Sequence, residues 1–142
     1  MLTIRPYTPD DLPLILDSFV RDYVRVPYVA GLTRSQVRGL MVSLLSAPGW
    51  TCSVLCDDET PDEIIAYAVH RGPQEIAWCH SKGIYRGRKL TLQLLTAVGC
   101  TRALAVMTPF MPDPKAARAL HARGWRLRFR PWIAVDTVTD GR

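Results

Sequence analysis

Five consecutive apolar residues, Ala103-Leu104-Ala105-Val106-Met107, lie between two segments with helical periodicity. A strand with no polar position has to be covered on both faces, whereas a strand with one wet face alternates. The helices on either side must therefore lie against a sheet that contains this run. The strand-helix-strand connection leading into it makes that sheet at least partly parallel. No other feature restricts the chain as strongly, and it points to an α/β architecture.

The remaining segments supply the order. Leu2–Pro6 reads as a short strand. Thr8-Pro9-Asp10-Asp11 then opens a helix, with Thr8 as cap, Pro9 at the first helical position and Asp11 closing a capping box. Leu12, Ile15, Leu16, Phe19 and Tyr23 recur at helical spacing, and Pro13 is expected to bend or loosen the second turn. Residues 26–32 read as a loop. Thr33-Arg34-Ser35-Gln36 is a second capping box, followed by Val37, Leu40, Met41, Leu44 and Leu45 on one face and a stop at Pro48-Gly49. Residues 50–56, 64–70 and 75–81 read as three strands joined by turns, an antiparallel meander, with 57–62 as an acidic turn. A helix over 86–98, the buried strand at 103–107, a helix from Asp113-Pro114 to about residue 122 ended by Gly124, and strand material over 125–135 complete the chain. Within the last segment Trp125, Leu127 and Phe129 alternate with Arg126, Arg128 and Arg130, which predicts an apolar face and an exposed row of guanidiniums. The order is β-α-α-β-β-β-α-β-α-β. With 142 residues it predicts one α/β (α+β) domain over 1–142, a mixed sheet flanked by about four helices.

Charge is distributed unevenly. The chain carries a formal +5, yet between His80 and Trp132 eleven basic side chains face a single acid, Asp113. That half is expected to meet an anion: a phosphorylated cofactor, nucleic acid or an acidic protein surface. No apolar run approaches the roughly 20 residues of a membrane helix, so no membrane partner is expected. The opening Met1–Arg5 reads as strand and not as a signal peptide. Cys52 and Cys56 could face one side of a strand, as metal ligands would. Without a CxxC pair, however, the four cysteines read as reduced core thiols, with no metal expected and a cytoplasmic setting.

The step at Ser81-Lys82-Gly83-Ile84-Tyr85-Arg86-Gly87-Arg88-Lys89-Leu90-Thr91 carries most chemical information. It resembles the acyl-CoA-binding segment of the GNAT acetyltransferase superfamily, in which an Arg/Gln-x-x-Gly-x-Gly/Ala motif opens a helix. Unpaired backbone N–H groups and the helix dipole at such a helix start favour a pyrophosphate, and glycines allow its close approach. Arg86 fills the Arg/Gln position, Lys89 stands where the first glycine is expected, and Thr91 where the second Gly/Ala is expected. Lys89 either crowds the pyrophosphate or pairs with it, with Arg88 assisting. The opening Ile4-Arg5-Pro6 and Thr8–Pro13, and the late Asp113-x-x-Ala116 with Gly124-Trp125, resemble further segments of the superfamily. Asp113 replaces its Asn and Trp125 its Phe, while Leu120 stands where a tyrosine often protonates the leaving thiolate.

The resemblance implies a GNAT-like fold and transfer of an acyl group from acetyl-CoA, or another acyl-CoA, to a small-molecule or protein amine. It implies cofactor contacts at Ser81, Arg86, Gly87, Arg88, Lys89, Leu90 and Thr91, with a backbone donor for the thioester oxygen near Ser81. His80 is the best candidate base, since an imidazole titrates near neutrality. Glu75 and His70 are weaker candidates. The replaced positions also fit a degenerate member with a structural or interaction role, for example a bacteriophage virion component whose basic half contacts nucleic acid or protein.

Overall fold

Residues 1–26, 31–82, 90–100, 105–110 and 114–130 are described by the computed structural model of the chain. Strands β1 (Leu2–Pro6), β2 (Thr51–Asp57), β3 (Thr60–Arg71) and β4 (Glu75–Ser81) form an antiparallel meander. Strands β5 (Ala105–Thr108) and β6 (Arg126–Phe129) extend it in parallel, giving one mixed sheet in the order β1-β2-β3-β4-β5-β6. Four helices cover it: α1 (Leu12–Tyr23), α2 (Arg34–Leu45), α3 (Leu90–Ala97) and α4 (Pro114–Ala122).

Strand alternation divides the core into two. Tyr67 and Val69 of β3 face α1 and α2, where they pack with Ile15, Phe19, Val37 and Met41. Ala66 and Ala68 face the other way, toward Leu90, Leu94 and Leu95 of α3, and Leu120 of α4 packs at the border of that cluster. Small side chains on that face of β3 leave room for the branched leucines of α3. The buried Val106 of β5 joins the same cluster, as a strand between two layers should.

Both capping boxes form. The Gln36 amide N–H donates to Thr33 Oγ1 at 3.1 Å, and the Thr33 N–H donates to Gln36 Oε1 at 2.8 Å. At the first box the Thr8 N–H donates to Asp11 Oδ2 at 2.7 Å. The first turn is a short 3-10 segment, Pro9–Asp11, and α1 proper starts at Leu12. Pro13 therefore sits in the first turn of α1, where its missing N–H costs nothing, and not inside the second turn as expected.

The acidic turn is shorter than expected. Asp57 Oδ1 accepts the Glu59 N–H at 3.0 Å, which closes a tight hairpin and returns the chain to strand at Thr60. Pro61 is tolerated there because the register slips between Cys56 and Asp57. The expected helix over 86–98 is described as Leu90–Ala97 and has ended by Val98, residues 86–89 lying outside the described ones; the expected strand over 125–135 spans Arg126–Phe129, with Trp125 and Arg130 just outside it and residues 131–135 not described. Arg126 and Arg128 are exposed and Trp125 is buried, as alternation requires, but Arg130, past the end of the strand, is half-buried and Phe129 is 41% exposed. It pairs with Thr108 at the very end of β5 and joins neither hydrophobic cluster.

A half-buried ion pair joins the start of the chain to its first helix. Arg5 on β1 grips Asp11 through Nη1–Oδ2 at 2.6 Å and Nη2–Oδ1 at 2.9 Å, and donates to the Pro61 carbonyl at 2.9 Å. The hydrogen bond from Arg5 holds the Asp11 carboxyl below the usual carboxylate range, against the opposing effect of burial. Asp11→Asn should lower unfolding stability by about 1.5–3 kcal/mol at neutral pH. Because the folded-state value is lowered, this difference is full above roughly pH 5. It shrinks as pH falls through the unfolded value near 3.9 toward the folded one. Urea unfolding of both proteins at neutral and acid pH checks it; a gap that grows on acidification contradicts the assignment.

Candidate active site

Among the described residues, strand β4 is paired from end to end on one edge, apart from Ala77, and at its start alone on the other. With β3 it runs in register from Arg71↔Glu75 to Ala66↔Ser81. With β5 it shares the single pair Glu75↔Met107, where the Met107 N–H donates to the Gln74 carbonyl at 2.6 Å. Farther along, Thr108 Oγ1 donates to the Ala77 carbonyl at 3.5 Å. From Trp78 to Ser81, no described strand pairs with that edge of β4.

A β-bulge marks the point of departure. The register passes from Val69↔Trp78 to His70↔Ile76, so Ala77 has no opposite residue on β3. Bulges bend a strand and increase its local twist, which turns the following residues away from the direction β5 takes. On the open half the Lys82 N–H donates to the Ile65 carbonyl of β3 at 2.9 Å. Antiparallel alternation then directs the N–H groups of Cys79 and Ser81 away from β3, toward the unpaired edge. Two adjacent backbone donors of this kind can polarise a carbonyl oxygen.

His80 lies between those two donors in sequence. Its imidazole is 8% exposed and sits on the α1 side of the sheet, opposite Tyr67 on β3. Its Nδ1 is 3.1 Å from Asp22 Oδ2 in the last turn of α1, and its ring lies 5.3 Å from that of Tyr67. Burial pushes the Tyr67 phenol well above its ordinary value, so it stays protonated. Its hydroxyl lies 2.8 Å from Ser18 Oγ and donates to the Ile15 carbonyl at 3.2 Å.

The weaker candidates are committed elsewhere. Glu75 is gripped by Arg71 through Nη2–Oε2 at 2.7 Å and Nε–Oε1 at 3.1 Å. His70 Nε2 lies 2.8 Å from Ser53 Oγ on the α3 side, and burial lowers its ring below its ordinary value. Leu120, at the position of the usual acid, packs against the α3 cluster. Of the cofactor residues expected from the motif, Ser81 ends β4, and Leu90 and Thr91 open the described part of α3. Arg86, Gly87, Arg88 and Lys89 lie outside the described residues. Among the described residues no three His, Cys, Asp or Glu side chains gather as a metal site. The partner of His80, Asp22, escaped the sequence reading. The only trace was its spacing of four from Ser18, which placed two polar groups beside the buried stripe of α1.

No family model matches the chain, and no curated protein matches it. Solved structures do. One is a Pyrococcus furiosus protein described as an acetyl transferase, with TM-score 0.63 at 17% identity over 90% of this chain and 95% of that one. Another is aminoglycoside N-acetyltransferase AAC(6')-Iy with CoA, with TM-score 0.57 at 14% identity over 92% and 91%. A third is a GCN5-related N-acetyltransferase from Rhodopseudomonas palustris, with TM-score 0.51 at 18% identity over 85% and 79%. The chain has the GNAT fold. At these identities the likeness establishes architecture; the chemistry has to be argued from the open half of β4. Among the described residues of this GNAT-fold chain, no helix is long and apolar enough to cross a membrane.

The four cysteines are free, and burial raises the Cys79 thiol to about 12 and the Cys100 thiol to about 11. Burial raises Cys52 further still. Since the thiolate is the reactive form, the native protein at about pH 8 should react with a chromogenic disulfide far more slowly than free cysteine. All four thiols should titrate at once in denaturant. A rapid stoichiometric thiol in the native protein contradicts this assignment of the cysteines to the core.

Proposed function

We propose that this chain is an acyl-CoA-dependent N-acyltransferase that moves an acetyl group, or another acyl group, to the amine of a small molecule or protein. The observation that carries this reading is the unpaired half of β4. There an imidazole held by a carboxylate stands between the outward backbone N–H groups of Cys79 and Ser81, on alternate residues of the strand. One solved neighbour, AAC(6')-Iy, supports it by what two of its structures hold: CoA in one, and a CoA-S-monomethyl-acetylneamine bisubstrate analogue in the other.

The chemistry then divides among a few groups. His80 accepts a proton from the ammonium form of the acceptor, which frees the nitrogen lone pair. That nitrogen attacks the thioester carbon, and the N–H of Ser81 supports the negative charge on the carbonyl oxygen. Collapse breaks the C–S bond and releases the thiolate, which takes up the proton lost by the newly acylated nitrogen. No side chain at 120 donates that proton, since a leucine stands there. The pyrophosphate is assigned to Arg86, Gly87, Arg88, Lys89, Leu90 and Thr91, on the strength of the motif and its local charge. Lys89 acts there as a phosphate ligand in place of a glycine.

Isothermal titration with CoA and acetyl-CoA tests the assignment. Wild-type protein should bind both. Charge reversal at Arg86 or Arg88 should weaken binding more than reversal at Arg25 or Arg38. Lys89→Gly should weaken it by about 1.5–3 kcal/mol, the worth of a charge-assisted hydrogen bond. Equal effects at all four arginines would sink the assignment of the site. Absence of wild-type binding at millimolar acetyl-CoA would overturn the enzymatic reading in favour of a degenerate, structural member of the fold.

A further inference from the structure

The seam between α1 and the sheet carries four polar side chains matched two by two. Ser18 and Asp22 are four residues apart on α1 and so project from one face, about 6 Å apart. Tyr67 and His80 are direct cross-strand partners on β3 and β4, with a similar spacing of about 5 Å. Helix and sheet therefore meet in step. Ser18 Oγ reaches the Tyr67 hydroxyl at 2.8 Å, and Asp22 Oδ2 reaches His80 Nδ1 at 3.1 Å. The Tyr67 ring, tilted 33° to the imidazole, backs it from the side of β3. The second oxygen of Asp22, Oδ1, lies 3.3 Å from Arg21 Nε, which steadies the carboxylate from the solvent side.

We propose that Asp22 is the positioning residue of His80, holding its imidazole in the Nδ1–H tautomer so that Nε2 is the basic nitrogen. An ionised carboxylate can only accept a hydrogen bond, so the ring nitrogen that faces it must carry the proton. The lone pair is thereby confined to Nε2. When Nε2 takes a proton, the same carboxylate lies next to the imidazolium and offsets its charge. A neutral serine or amide at position 22 supplies neither effect. The inference rests on the acyl-transfer reading for its kinetic consequence alone; the tautomer is a property of the folded chain. Asp22 touches no reacting atom and works only through His80.

The test is nitrogen NMR of the histidine-labelled full chain, paired with steady-state kinetics. His80→Gln identifies the His80 signals among those of the three histidines. In the wild type, on the alkaline side of the ring's own NMR titration, where it is neutral, His80 should show a protonated Nδ1 and an unprotonated Nε2. Asp22→Asn should abolish that preference, because an amide can present N–H as readily as oxygen. Asp22→Glu should restore it in part, and Asp17→Asn, an exposed change on the same helix, should leave it untouched. With acetyl-CoA and a panel of small primary amines including neamine, Asp22→Asn should lower kcat by about 10- to 100-fold, part of what a positioned base contributes. KM for acetyl-CoA should stay within about twofold, since uniform binding is not the term removed. A wild-type Nε2–H tautomer, or an Asp22→Asn protein with unchanged tautomer and kcat, overturns the proposal. The wild-type measurement needs no variant to fold. If the tautomer behaves as stated while acetyl-CoA is never consumed, the pairing stands and the acyl-transfer reading falls. If turnover occurs with His80 in the other tautomer, the reverse holds.

Discussion

Strand β4 has two edges with different partners, and the rest of the molecule follows from their inequality. Its β3 edge is paired to the end, which anchors the strand in an antiparallel ladder of six residue pairs interrupted by the bulge at Ala77. Its β5 edge is satisfied at one register pair, and beyond it no described strand continues the pairing. Backbone donors left on an open edge of a sheet are costly when buried and useful when a ligand supplies the acceptor. The bulge at Ala77 lets the sheet tolerate this, because it puts the change in twist where the partner strand leaves.

The two layers of helix play different parts around that opening. On the α3 side the sheet presents alanines and accepts leucines, an apolar contact with no polar group to orient. On the α1 side the contact is mixed. A dense aromatic group, Phe19, Tyr23, Trp78 and Phe110, packs with ring centroids 5.0–5.6 Å apart. Beside it run the Ser18–Tyr67 and Asp22–His80 pairs. Close packing in the aromatic group fixes the rotation of α1 about its axis, and that rotation brings position 22 to the imidazole. The Arg5–Asp11 pair fixes the other end of the same helix against β1 and the β2–β3 hairpin. Helix α1 is thus held at both ends, and the polar pairs lie between.

Much of this was legible from residue order, and the reasons are local. Capping boxes at Thr8 and Thr33, the buried Val37, Met41 and Leu44 of α2, the meander and the buried run at Val106 each follow from spacing within a dozen residues, whereas Leu40, on the expected stripe of α2, is exposed. The misreadings also have local causes. Pro13 falls one turn earlier than its spacing from Thr8 implies because a 3-10 segment shifts the start of α1, and Phe129 is exposed because alternation says nothing about where a covering layer ends. His80 was identifiable as a titratable group at the end of a strand beside a GNAT-like motif. Its partner was not, since Asp22 lies 58 positions away and reads as an ordinary solvated acid near a helix end.

Periodicity, capping chemistry and one uninterrupted apolar run were enough to specify the elements, their order and a mixed sheet between helices, because those properties depend on neighbours along the chain. The open half of β4 and the pairing of its imidazole with Asp22 depend on how far two strands stay together and how one helix is rotated. Both are set by packing among residues distant in sequence. Register and helix rotation are collective quantities, fixed only when the whole core closes, and so the tertiary structure alone decided them.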